Sequence, residues 1–230
     1  MDLDAADFCR EIEAYLCRKN DGHLVRIVGP AFEQVCGWAT KGVPLKVACR
    51  GIDRYFERYY AKGPRRRPVR VEFCDADVLD VFDEWRRAVG VALPEAGDAE
   101  PHARQASLPA HLERVVARLT TRRAGEERSL DSILDGLIRE LDVARATAKG
   151  LRGEARQVFV ERLRALDDQL IAAAREGCSP EMLGTLHAEA DSELAPFRAR
   201  MPEAAYAQSR SACVNRLVRE RLRLPVIAFE

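Results

Sequence analysis

The sequence predicts an all-α protein, with a small N-terminal helical domain joined by a linker to a C-terminal helical bundle. Three observations point there. Ala, Arg, Leu and Glu dominate the composition, and all four are helix formers. Apolar residues recur at steps of three and four through most of the chain. Glycines and prolines fall between these periodic stretches, where helices start and stop.

Residues 4–19 carry Phe8, Ile12, Tyr15 and Leu16 at helical spacing, and Asn20-Asp21-Gly22 supplies a stop. His23–Val28 fits a loop or a strand. Gly29-Pro30 opens a second helix that runs through Phe32, Val35 and Trp38 to Gly42. Pro44 sits where a first-turn proline belongs for a third helix, with Leu45, Ala48, Cys49, Ile52, Phe56 and Tyr59 inward and Gly63-Pro64 as its end. Asp75 is placed to cap a fourth, in which Val78, Leu79, Phe82, Trp85 and Val89 face inward and Gly90 lies past the end. Residues 1–90 therefore read as four helices around one core.

Residues 91–107 are rich in Ala, Gly, Pro and polar residues, lack an apolar period, and read as a linker. The bundle over 108–230 begins with three apolar sets at helical spacing. These are Leu112, Val115, Val116 and Leu119; then Ile133, Leu134, Leu137, Ile138 and Leu141; then Val158, Phe159, Leu163, Leu166, Leu170 and Ile171. Ser179-Pro180-Glu181 combines a capping hydroxyl, a first-turn proline and an acid at the positive end of the dipole, so a helix starts there. Pro196 should stop or kink it. A last helix follows Pro202 through Tyr206, Cys213, Leu217, Val218 and Leu222. The apolar tail Val226–Phe229 must dock on the body or on a partner, because it would be adhesive if exposed.

With 230 residues, 47% apolar and 32% charged, the chain can bury a real core and is far from the composition of disordered chains. No apolar run approaches the ~20 residues needed to cross a bilayer, and Asp2, Asp4 and Asp7 replace a basic, apolar leader, so a cytoplasmic protein is expected. The seven cysteines are odd in number, scattered and without a CxxC, which argues for buried thiols. His23, His102, His111 and His187 show no paired ligand spacing, and no metal or other cofactor is expected. His187 and Asp191 share a helix face, where a solvated i,i+4 pair outweighs an acid–base pair. Asp80 with Asp83 or Glu84 could offer carboxylates to magnesium, although a solvated face accounts for them better. Phosphate-binding glycine motifs and the GxSxG elbow are absent, so no enzyme activity is expected.

The functional signal is a switch in charge. The chain is neutral overall, yet Lys41, Lys46, Arg50, Arg54, Arg58, Lys62, Arg65, Arg66, Arg67 and Arg70 face only Asp53 and Glu57. Glu72, Asp75, Asp77, Asp80, Asp83 and Glu84 then follow without a base. A local excess of that size meets either its acidic neighbour or a partner. Lys46, Arg50, Arg54 and Arg58 are spaced by four and form one helix face. Two prolines hold Arg65-Arg66-Arg67 extended, which suits bidentate contacts to phosphate. Tyr55, Tyr59 and Tyr60 could stack on unpaired bases. These residues make a DNA or RNA backbone the first expected partner, through Lys46, Arg50, Arg54, Arg58, Lys62, Arg65, Arg66, Arg67 and Arg70.

Pairing within the chain competes with that reading. Asp53 and Glu57 lie three or four positions from the arginines, and the acidic fourth helix could lie along them. The protein would then be an adaptor with charged rims, anchored to a protein partner by Val226, Ile227 and Phe229. Two further basic sets are weaker signals. Arg210, Arg216, Arg219, Arg221 and Arg223 are explained by the dipole at the end of the last helix, and Glu113, Glu126 and Glu127 dilute Arg114, Arg118 and Arg122.

The stretch Trp38, Gly42, Ile52, Val78, Phe82, Trp85 and Gly90 resembles the DnaD-like helical domains of bacterial primosomes, in which tryptophan-bearing helices frame a DNA-binding region. It departs from that pattern at Asp77, where the family usually has Tyr. The resemblance implies DNA as a partner and carries no site residue across.

Overall fold

A computed structural model describes residues 4–61, 63, 68–91, 107–124 and 130–229. The chain is all-helical. Among the described residues there are nine α-helices and one 3-10 turn, and no strand. The helices are α1 (Ala5–Lys19), α2 (Pro30–Lys41), α3 (Leu45–Tyr60), α4 (Asp75–Val89), α5 (Leu108–Arg123), α6 (Asp131–Thr147), α7 (Gly153–Glu176), α8 (Pro180–Arg198) and α9 (Glu203–Leu222). Val71–Cys74 forms the 3-10 turn that leads into α4. The expected linker lies mostly outside the described residues.

Two compact units emerge, and the first is discontinuous in sequence: Met1–Pro94 with Asp191–Ala212. The second takes Glu95–Ala190 with Cys213–Glu230, so α8 and α9 each give residues to both. The linear division at residues 91–107 had left 191–212 wholly with the rear.

The front unit is built on α3 and α4, which pair closely. Val47, Ala48, Ile52 and Phe56 of α3 and Val78, Phe82, Trp85 and Val89 of α4 are buried. Tyr59, expected in this stripe, is only half-buried. Phe197 stacks on Phe82 at 6.4 Å and lies 5.7 Å from Trp85, which explains why 191–212 belongs here. Both tryptophan side chains find carboxylates, as buried indole N–H groups must. Trp38 Nε1 donates to Asp75 at 2.7 Å and Trp85 Nε1 donates to Glu193 at 2.8 Å. Asp75 is therefore the first residue of α4 and spends its carboxylate on Trp38, not on a cap.

His23–Val28 is irregular, not a strand, and α3 ends at Tyr60 before Gly63-Pro64. Ser179 Oγ does cap α8, accepting the Met182 N–H at 3.1 Å. Pro196 does not stop that helix, which continues to Arg198, although the proline leaves the Ser192 carbonyl without its intrahelical donor.

Asn20 was expected only as part of a stop. Its buried side chain donates to the Leu16 and Val69 carbonyls at 3.0 and 2.9 Å and accepts the Val69 N–H at 2.7 Å. It thereby fixes the chain where it returns from the Arg-rich segment. Asn20→Ala removes these bonds and strands buried backbone groups, so it should destabilise by about 3 kcal/mol in urea unfolding. A loss within experimental error would show that the clamp carries no energy.

In the rear unit Leu112, Leu119, Leu134, Leu141, Leu163, Leu166 and Leu170 form the core, with Val214 and Val218 of α9. No disulfide links the seven cysteines. Burial pushes the Cys74 thiol up to about 12 and the Cys49 thiol up to about 11.

Candidate interaction surface

The basic stripe of α3 runs alongside acids. Arg54 Nη1 donates to Glu84 at 2.8 Å and Arg58 Nη2 donates to Asp77 at 2.6 Å. Asp77 is 5% exposed at its side chain, so Arg58 neutralises a buried carboxylate. Arg70 pairs with Glu72 at 3.0 Å. Lys46 is exposed and Arg50 half-buried, both engaged in further interactions. Asp53, expected to serve the arginines of its own helix, instead pairs with Lys19 at 2.8 Å and accepts the Tyr15 hydroxyl at 2.7 Å, joining α1 to α3. Burial and the Asp53 carboxylate push the Tyr15 hydroxyl up. Lys62, Arg65, Arg66 and Arg67 lie outside the described residues.

Beside the paired arginines runs a ridge of aromatic rings. Phe73 stacks on Tyr55 at 6.4 Å and 13°, and Tyr55 stacks on Tyr59 at 5.7 Å and 22°. Tyr59 meets Tyr60 edge-on at 5.4 Å, and Tyr60 lies 5.9 Å from Phe56. The Arg58 guanidinium sits 5.5 Å above Tyr55 while holding Asp77, which fixes that ring from the other side of the ion pair. Phe73 is 59% exposed and Tyr60 40% exposed. The three tyrosines were legible in the sequence as neighbours on one helix. Phe73 was not, because a lone aromatic in a 3-10 turn carries no period.

The tail resolves toward the body. Ile227 is fully buried and Phe229 nearly so. Ile227 N–H donates to Asp167 at 2.6 Å, its carbonyl lies 3.0 Å from His111 Nε2, and Phe229 packs edge-on against His111 at 5.2 Å. Ile227 and Phe229 are therefore corrected from partner anchors to core residues, since their apolar area is already spent within the rear unit. Val226 remains 52% exposed.

Asp191, considered with His187 as a ligand or acid–base pair, is taken by Arg210 Nη2 at 2.9 Å and the Tyr206 hydroxyl at 3.0 Å. Among the described residues no group of three or more His, Cys, Asp or Glu could hold a metal ion, and no helix is long and apolar enough to cross a membrane. Comparison with family models, curated proteins and solved structures found no match, so the DnaD-like resemblance rests on its quoted residues alone.

Proposed function

We propose that the chain is a cytoplasmic helical adaptor whose front unit binds a protein partner through the ridge of Phe73, Tyr55, Tyr59 and Tyr60. The supporting observation is that Arg54 and Arg58 are matched by carboxylates of α4 while the adjoining ridge keeps Phe73 largely exposed. A face neutralised in this way has little long-range attraction for a polyanion. Aromatic rings with arginine at their edge are what the centres of protein interfaces are made of.

A second reading keeps nucleic acid as the partner. The nearly parallel Phe73, Tyr55 and Tyr59 rings offer an outer face on which an unpaired base could stack, and exposed pairs such as Arg54–Glu84 are weak enough to be exchanged for phosphate. Backbone contacts from Lys46, Arg50, Arg54, Arg58, Lys62, Arg65, Arg66, Arg67 and Arg70 would then give affinity without sequence preference.

Fluorescence anisotropy with labelled single- and double-stranded oligonucleotides separates the two. The adaptor reading expects no binding even at low salt. It also expects a photo-crosslinking residue placed at Phe73 to give one discrete protein adduct in cells, lost in Tyr60→Ala. Oligonucleotide binding that falls steeply with salt and disappears in an Arg65→Ala, Arg66→Ala, Arg67→Ala variant would overturn it in favour of nucleic acid.

A further inference from the structure

Two basic sets that looked unrelated in sequence meet in the rear unit. An open groove of about 660 Å³ is lined by Arg118 of α5, by Arg216, Arg219 and Glu220 of α9, and by Arg223 and Val226 beyond it. Two of the four guanidinium groups are answered. Arg216 pairs with Glu220 at 2.6 Å and Arg219 pairs with Asp167 at 2.7 Å. Arg118 and Arg223 are exposed and make no ion pair among the described residues. The rest of the lining is largely aliphatic, with Ala117, Leu224 and Pro225 beside the exposed Val226.

We infer that this groove docks an acidic segment of a partner protein, a peptide that sets aliphatic side chains on Val226 and Pro225 and carboxylates on Arg118 and Arg223. Charge complementarity selects the occupant: an arginine on the α5 wall and another past the end of α9, neither ion-paired among the described residues, flank an aliphatic surface. A nucleic-acid strand fits less well. The described lining holds no aromatic ring on which a base could stack. Arg122 and Arg219 already spend guanidinium N–H groups on the Leu222 and Pro225 carbonyls, so part of the local basicity holds the fold and only the remainder is offered outward. The inference uses none of the residues of the front ridge and does not depend on it.

The test uses the full chain and a fluorescein-labelled probe peptide with Glu and Leu arranged on opposite faces of a helix. Native protein should bind it, and an Arg118→Glu, Arg223→Glu double variant should bind roughly tenfold more weakly or worse. A sister peptide with Lys for every Glu should prefer the double variant, which a merely damaged protein would not produce. An unchanged circular dichroism spectrum and unfolding midpoint would show that the variant is folded. Phe73→Ala should bind the probe like the native chain, so failure here and failure at the front ridge are distinguishable. Absence of probe binding, equal binding by native and double variant, or equally tight binding of an all-Glu peptide or an oligonucleotide would each overturn the inference.

Discussion

Gly51→Ala is expected to destabilise the front unit by about 3 kcal/mol or more, although alanine is the better helix former. The substitution sets two effects against each other. Helix propensity favours alanine by about 1 kcal/mol in a helix interior. Against that, a Cβ at Gly51 would lie 2.4 Å from Val78 Cα and 2.8 Å from Val78 N, and these are backbone atoms that cannot rotate away. Relief requires α3 and α4 to separate, which opens the layer of Val47, Ala48, Ile52 and Phe56 against Val78, Phe82 and Trp85. Gly37→Ala is the matched control. It lies inside α2 with nothing within 4 Å of its would-be Cβ, so there the propensity term should stand alone and stabilise by up to about 1 kcal/mol. Denaturant unfolding of both variants checks the pair. A neutral Gly51→Ala would mean that the two helices do not approach at this point.

Asp167→Ala should cost about 3 to 5 kcal/mol and release the C-terminal tail. One carboxylate oxygen holds Arg219 at 2.7 Å and the other accepts the Ile227 N–H at 2.6 Å. Arg219 in turn donates to the Pro225 carbonyl at 2.9 Å. Removing the carboxylate leaves a guanidinium whose side chain is 14% exposed without its counter-charge and leaves a buried backbone donor unsatisfied. Asp167→Asn should fall between the two proteins, because its amide oxygen can still accept one of these bonds. Hydrogen exchange supplies the second readout. The Ile227 amide should lose its protection in Asp167→Ala before the helices of the rear unit lose theirs. An Ile227 amide that stays protected would show that the apolar contacts of Ile227 and Phe229 hold the tail unaided.

Most of the helices were legible because their signals are local. Apolar spacing placed α1 to α9, Ser179-Pro180 located the start of α8, and the left-handed Gly42 and Gly90 ended α2 and α4. Three of the misses share a cause, in that each depends on a residue far along the chain. Asn20 looked like an ordinary stop because Val69 is invisible from its neighbours. Asp75 looked like a cap because Trp38 competes for it only in the folded protein. Asp53 looked like a partner for α3 arginines, since no helical spacing reveals that α1 brings Lys19 and Tyr15 to it.

The candidate surfaces divide along the same line. Composition and periodicity by themselves determined the helical class and identified α3 as a basic stripe beside an acidic helix, because a helix face follows from spacing alone. Only tertiary structure decided which charges meet. It set Arg54 and Arg58 against Glu84 and Asp77, added Phe73 to the tyrosines, buried Ile227 and Phe229, and brought Arg118 to the same groove as Arg223. The physical reason is that ion pairs and stacked rings require groups within a few ångströms of each other, and for residues on different helices that distance is set by how the helices pack.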